Sequence, residues 1–276
     1  MIDLHCHSYY SDGINSPNEL IEKASVNGVK YLAITDHDTT EGIKPFQQSL
    51  IERASDIALI KGIELSVSWK KHVIHILGLH LMNHEKLDDL IYQQNQQRIQ
   101  RAKEISSALA LSGLKDAYRK ACEIAGHERV ARPHFAQVLI NEGMAKDMVS
   151  AFKKFLGRGR KAYVPTSWIN IKEAVDGILD AGGQAVIAHP LKYGLTRTKL
   201  YELITDFKRA GGTGLEVVSG DMTKLKIQET AAICQRFDLL ASSGSDYHGE
   251  GISRISVGRQ QQLPLNCTPI WNEWNF

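Results

Sequence analysis

Cysteine is scarce and shows no pairing pattern. The 276-residue chain has four, Cys6, Cys122, Cys234 and Cys267, with no C-x-x-C spacing. That argues against a thiolate zinc site and for reduced thiols in the cytoplasm. No apolar run approaches the roughly 18 residues of a membrane span. Asp3 and His5 interrupt the start, where a secretory signal needs unbroken apolar sequence. A large charge of one sign is missing too: the net charge of +2 points to neither nucleic acid nor membrane. Recognition-helix, zinc-finger and RNA-binding signatures are lacking, so no DNA-recognition module is expected, and no protein partner is evident. Internal repeats are absent beyond an alternation of strand-like and helix-like segments.

What the chain does have is histidine and acid placed where hydrophobic runs end. His5 and His7 stand two apart in an extended opening stretch, so both imidazoles can reach one metal while Cys6 faces the other way, and Asp12 follows. Ser16-Pro17-Asn18-Glu19 reads as an N-cap, a proline at the first helical position and a capping-box acid. The strand 29–34 ends in Thr35-Asp36-His37-Asp38, and a strand over 58–63 delivers Glu64. A strand over 73–78 carries His75 inside apolar sequence. Four helical segments follow, 87–111, 115–125, 133–142 and 146–156, with no strand between them. Alternation resumes at Ala162-Tyr-Val-Pro165. The strand 183–188 then ends in His189-Pro190, the strand 214–218 follows, and the strand 239–242 leads to Asp246 and His248.

The pattern predicts an α/β fold, a parallel sheet or barrel with its site at the C-terminal rim of the strands. A helical insertion over 84–160 is set into a host formed by 1–83 and 161–276. The insertion carries +5, which suits a lobe facing an anionic ligand, although a solvated helical face is the plainer reading for most of those charges.

The residues near strand ends are His5, His7, Asp12, His37, Glu64, His75, His189, Asp246 and His248. Six imidazoles and three carboxylates with no thiolate suit Mn, Fe or Zn better than Mg or Ca. Nine donors exceed what one cation takes and indicate two or three. Asp36 and Asp38 flank His37 and are read either as orienting its ring or as turn and cap residues.

The sequence resembles the PHP (polymerase and histidinol phosphatase) family of metal-dependent phosphoesterases. The motifs are Asp3-Leu-His-Cys-His-Ser with Ser11-Asp-Gly, Thr35-Asp-His-Asp-Thr, Gly62-Ile-Glu64, Ile74-His75, His189-Pro190 and Gly244-Ser-Asp-Tyr-His248. The resemblance implies a distorted (β/α)7 barrel. It also implies three divalent ions: His5, His7, Glu64 and Asp246 on the first, Glu64, His75 and His189 on the second, and Asp12, His37 and His248 on the third. Mn²⁺ is favoured, with Fe²⁺ and Zn²⁺ as alternatives. Three dications and three carboxylates leave about +3, a site for phosphate in which a bridging hydroxide held beside Glu64 and Asp246 attacks in line.

Arg132-Pro133-His134-Phe135-Ala136, the segment 98–101 and Lys192-Tyr193 after His189-Pro190 are similar to a subgroup of the family. That subgroup contains nucleoside 3′,5′-bisphosphate phosphatases and RNase AM-type 5′→3′ exoribonucleases. It implies Arg132, His134 and Lys192 as substrate-binding residues, with His134 as substrate contact or acid. The alternative for Arg132 and His134 is a solvent-facing pair at a helix N-terminus. Expected substrates are nucleoside 3′,5′-bisphosphates or short 5′-phosphorylated oligoribonucleotides. Competing readings are a phosphatase of another small monoester, such as histidinol phosphate, and a non-catalytic scaffold.

Overall fold

Two sheets and a set of helices make up the computed structural model, which describes residues 1–274. The first sheet is parallel, in the order β1 (Ile2–Asp3), β2 (Tyr31–Ile34), β3 (Ala58–Lys61). The second runs β4 (Ile63–Trp69), β5 (His72–Leu79), β6 (Gln184–Ile187), β7 (Gly214–Ser219), β8 (Leu240–Gly244). β4 and β5 are antiparallel, as are β5 and β6, while β6, β7 and β8 run parallel. The fold is therefore α/β with a mixed sheet, which corrects the expectation of a purely parallel one.

That correction has a local cause. Gly62 ends β3, and the chain starts a new strand in which Leu65, Val67 and Trp69 are buried. A tight return at Lys70, whose φ is 51°, pairs Ser66 with His75. Residues 162–165, read as resuming the alternation, form no strand; Ile169 alone bridges to Val67.

The two sheets are joined at both seams. Leu4 donates its N–H to Ser243 O at 3.0 Å, His7 to Tyr247 O at 2.9 Å, and Asp246 to His5 O at 2.8 Å. Gly244 makes the first seam possible, because a Cβ there would lie 2.2 Å from that of His5. At the second seam the Asp38 N–H donates to Glu64 O at 3.0 Å and the Glu64 N–H to Asp36 O at 3.2 Å, across a His37–Glu64 bridge.

Helices α1 (Pro17–Val26) and α2 (Ile43–Glu52) follow β1 and β2. Ser16 and Glu19 form the reciprocal capping box that their spacing predicts, with Ser16 N–H to Glu19 Oε2 at 2.7 Å. Between β5 and β6 lie α3 (Asp88–Ala110), α4 (Ala117–Ala125), α5 (Arg132–Asn141), the one-turn α6 (Met148–Ala151) and α7 (Ile171–Asp180). Helices α3 to α6 share an apolar core of their own, including Ile105, Leu109, Phe135 and Leu139. Helices α8 (Arg197–Arg209) and α9 (Lys224–Arg236) complete the α/β alternation. Among the described residues no helix is long and apolar enough to cross a membrane.

Candidate metal centre and adjoining cavities

All nine ionisable residues expected near strand ends converge where the seams meet. His5 Nε2 and His7 Nε2 are 3.1 Å apart. Each lies 3.3 Å from Glu64 Oε2 and 3.4 Å from Asp246 Oδ1. Four donors around one cation at about 2.0–2.2 Å stand about 3.3 Å or slightly more from one another, so the spacing fits a shared ion. Glu64 Oε1 is 2.9 Å from both His75 Nδ1 and His189 Nε2. Asp12 Oδ1 is 3.4 Å from His248 Nε2 and 3.8 Å from His37 Nε2.

The groups overlap more than a three-way partition implies. His7 also falls within the Asp12, His37 and His248 group, and His37 Nδ1 comes within 3.0 Å of Glu64 Oε2. That last pair is buried and close, yet neither atom has a hydrogen-bond partner, and Asp12 Oδ1 is similarly orphaned. Buried carboxylate oxygens without donors are costly, and a divalent cation would satisfy them. The donor set thus fits divalent metal.

Charge in the metal-free protein tells the same story. Burial opposes ionisation of Glu64, Asp12 and Asp246, but the surrounding imidazoles hold all three carboxyls well below the usual range. Burial likewise disfavours protonated His5, yet Glu216, Glu64 and Asp246 push it well above its ordinary value. Burial opposes protonation of His7 too, yet the adjacent Asp246 and Glu64 carboxylates push it up to about 9. Protons there play the part a cation would take.

The supporting layer holds residues that sequence reasoning missed. Glu216 on β7 is fully buried; its Oε1 accepts from His5 Nδ1 at 2.9 Å, and its Oε2 from the His189 N–H at 2.5 Å. Glu216 therefore aims one candidate ligand, His5, and pins the backbone of another, His189, whose φ of 27° is unfavourable for a non-glycine residue. Its signal was a lone acid in an apolar strand. Tyr193 Oη accepts from the His75 N–H at 2.9 Å and donates to Ala188 O at 2.7 Å.

The two aspartates beside His37 divide their labour. Asp36 accepts from Ser8 Oγ at 2.7 Å and Ser11 Oγ at 2.6 Å, fixing the loop that carries Asp12. Asp38, at φ 49°, faces the helices: it accepts from Arg98 Nε at 2.7 Å, Gln94 Nε2 at 3.1 Å and the Ser66 N–H at 2.7 Å. Neither carboxylate orients the His37 ring. Further contacts clamp the helices to the same side. His127 Nε2 meets Ser11 O at 3.2 Å, and Arg129 makes a bidentate pair with Glu41 at 2.8 and 2.6 Å.

Beside the metal centre lies a cavity of about 320 Å³. Its cations are Lys71, Arg101, Arg132, Arg158 and Lys192, and among the described residues no carboxylate lines it. Arg101 stands 5.0 Å from the centre of the buried Trp168 ring, with its Nε buried and unpartnered. Burial and the neighbouring Arg98 and Arg132 pull the Arg101 pKa down to about 9. Such a set of cations is built to be completed by an anion.

The three substrate-side residues sit differently. Arg132 starts α5 and lines the basic cavity. Lys192 joins the cavity to the metal centre by pairing with Asp246 Oδ2, which holds its ammonium above the usual value against the effect of burial. His134 is buried, its Nδ1 accepts the Ala131 N–H at 2.9 Å, and burial brings its pKa to about 4. At neutral pH it is an uncharged ring with Nε2–H as donor. With Nδ1 so engaged, Nε2 is the atom left to contact a ligand.

Comparison with known proteins places this geometry. The sequence profile of the PHP domain matches residues 3–186. The chain is 39% identical over 274 residues to a 3′,5′-nucleoside bisphosphate phosphatase of Chromobacterium violaceum, covering 99% of this chain and 95% of that one. It is 39% identical over 273 residues to a 5′-3′ exoribonuclease of Haemophilus influenzae, covering 99% and 98%. The solved structure of an amidohydrolase from Chromobacterium violaceum, with bound sulfate and no metal, matches with a TM-score of 0.92 at 38% identity, over 99% of this chain and 95% of that one.

Proposed function

Because the chain belongs to the PHP domain family, we propose that it is a metal-dependent phosphoesterase acting on 5′-phosphorylated nucleotides. It hydrolyses the 3′-phosphoester of nucleoside 3′,5′-bisphosphates to nucleoside 5′-monophosphate and phosphate. It also trims short 5′-phosphorylated oligoribonucleotides from the 5′ end by the same step. The observation that carries this reading is the junction at Lys192 of a carboxylate–imidazole cluster and an acid-free basic cavity. One suits a reacting phosphate over cations, the other a second phosphate held by guanidinium groups. Of the relatives named above, one is a 3′,5′-nucleoside bisphosphate phosphatase and another a 5′-3′ exoribonuclease.

In this reading His5, His7, Glu64 and Asp246 hold one ion, Glu64, His75 and His189 a second, and Asp12, His37 and His248 a third, with Mn²⁺ as the favoured metal. Bound divalent ions would supply Lewis acidity and lower the pKa of water toward about 7. Arg132, with Arg101, grips the 5′-phosphate and so fixes the nucleotide's register against the cluster. His134 donates Nε2–H to the substrate. Lys192 exchanges Asp246 for the reacting phosphate. We read the two sheets, joined at both seams, as the distorted barrel of the family, and 84–160 as its substrate lobe.

The test is a substrate comparison with Mn²⁺-loaded protein: adenosine 3′,5′-bisphosphate, a short 5′-phosphorylated RNA, the same RNA with a 5′-hydroxyl, and histidinol phosphate. The bisphosphate and the 5′-phosphorylated RNA are expected to turn over fastest. Indifference to the 5′-phosphate, or preference for histidinol phosphate, refutes the reading. Inactivity on all four with metal bound favours a scaffold.

A further inference from the structure

A second cavity, of about 550 Å³, opens on the other side of Lys192. It begins at His189, Asp246 and His248 and runs outward between the segments 219–222 and 252–255. Leu191, Met222, Ile252 and Ile255 give it apolar wall, and Ser219 and Ser253 give it hydroxyls. Ser253 Oγ accepts the His248 N–H at 2.8 Å, so this wall is anchored to the metal centre. Lys226 and Arg254, both exposed, carry positive charge on its lining, with Asp221 Oδ2 3.7 Å from Arg254. A cleaved phosphate ion needs far less room than this, since cavities of roughly 300–1,000 Å³ take whole organic ligands.

Bond accounting says what the room is for. With either substrate class, water's oxygen joins phosphorus, the P–O3′ bond breaks, and the departing O3′ takes up the proton that water loses. From a bisphosphate the phosphorus leaves as inorganic phosphate. In an oligonucleotide one phosphoryl oxygen is the O5′ of the second nucleotide. That bond is kept, and the shortened RNA departs with a 5′-phosphate. The second nucleoside must therefore project sideways, clear of both the incoming water and the first nucleoside. If the first nucleoside is tethered by its 5′-phosphate to the basic cavity, the cavity beyond Lys192, which also reaches His189, Asp246 and His248, is open to the second.

Resting on the function proposed above, we infer that this second cavity is the subsite for the second nucleotide of a 5′-phosphorylated oligoribonucleotide. Its apolar wall takes the ribose and base. Lys226 and Arg254 meet the phosphodiester that follows.

Three substrates separate this inference from its parent: adenosine 3′,5′-bisphosphate, the dinucleotide pApA and the trinucleotide pApApA, each assayed with Mn²⁺ and with metal content measured. Ile252→Trp narrows the cavity and is expected to lower kcat/KM about tenfold on both oligonucleotides while leaving the bisphosphate within about twofold. The double variant Lys226→Glu, Arg254→Glu is expected to lower kcat/KM about tenfold on pApApA alone. It should also flatten the log–log salt dependence of that substrate, since each single-strand phosphate contact contributes a slope of about 0.7. In equilibrium binding to metal-free protein, the same double variant should weaken pApApA more than the bisphosphate. Equal losses on bisphosphate and oligonucleotides put the first nucleoside in this cavity and overturn the inference, as does no loss on any substrate. A wild-type protein that cleaves the bisphosphate but neither oligonucleotide overturns the subsite and leaves the phosphatase standing. Inactivity on all three overturns both.

Discussion

The metal centre and the basic cavity beside it, both assigned to phosphate in the proposed function, are constructed on opposite principles. In the metal centre every charge has a counterpart: three carboxylates sit among six imidazoles, and Glu216, Asp36 and Tyr193 hold the set from behind. In the basic cavity the described lining holds cations and no carboxylate, and Lys192 reaches outside it to pair with Asp246. The first is complete as a cation receptacle whatever the substrate. The second gathers buried cations, and burial together with the neighbouring Arg98 and Arg132 pulls the Arg101 pKa down to about 9, a cost that a bound anion would offset. A balanced cluster can be rigid before the substrate arrives. An unbalanced one contributes binding energy when substrate completes it, and so sets specificity.

The sharpest break of that contrast is at Glu64, whose two oxygens reach five imidazoles. Glu64→Gln keeps the volume and removes the shared charge. Bound metal is expected to fall by at least one ion per chain, and kcat/KM on the bisphosphate by about a thousandfold or more. Metal analysis beside steady-state kinetics checks this. Full occupancy with near-normal rates would mean the cluster is not organised around Glu64. Arg132→Ala acts on the other half. It should cost about a hundredfold in kcat/KM on adenosine 3′,5′-bisphosphate and only a few-fold on adenosine 3′-monophosphate, with metal content unchanged. Equal loss on both substrates would deny the cavity its role in specificity.

Glu216→Gln probes how far the balance depends on residues that touch no metal. Losing the carboxylate behind His5 should weaken the tightest metal site about tenfold to a hundredfold, the range for such supporting groups. Titration of metal into stripped protein reads this directly, independent of turnover. Unchanged affinity would show that packing alone aims His5.

The two halves also differ in how visible they were from sequence. The metal-side residues stood out because each interrupts or ends a hydrophobic run, a local signal. Arg101 stood only inside the segment 98–101 that resembles the subgroup: on α3 it reads as one charge of a solvated helical face, and its place in a cavity depends on Trp168, far along the chain, packing beside it. Glu216 was conspicuous as a lone acid in a buried strand, but its partner His5 lies 211 residues away. The missed strand β4 was legible in the alternation Leu65-Ser-Val-Ser-Trp69, yet its antiparallel pairing with β5 depends on the turn at Lys70. Local chemistry could be read; tertiary juxtaposition could not.

The smallest expected effect, at His134, asks whether proton chemistry is confined to the metal side. With Nδ1 accepting the Ala131 N–H and burial setting its pKa to about 4, His134 stays neutral through the working range. His134→Gln should therefore lower kcat/KM only a few-fold, by weakening one hydrogen bond, without moving the acid limb of the rate profile. Stability supplies the second readout. Above pH 6.5 the ring is neutral in both the folded and unfolded chain. Between about 6.5 and 4 the unfolded chain gains a proton that the folded one refuses, so stability falls as pH falls, by at most about 3 kcal/mol. In metal-stripped protein the drop in Tm from pH 7.5 to pH 5 should accordingly be smaller for His134→Gln than for wild type. If instead the acid limb shifts with the substitution, His134 titrates during turnover, and the basic cavity takes part in proton transfer as well as recognition.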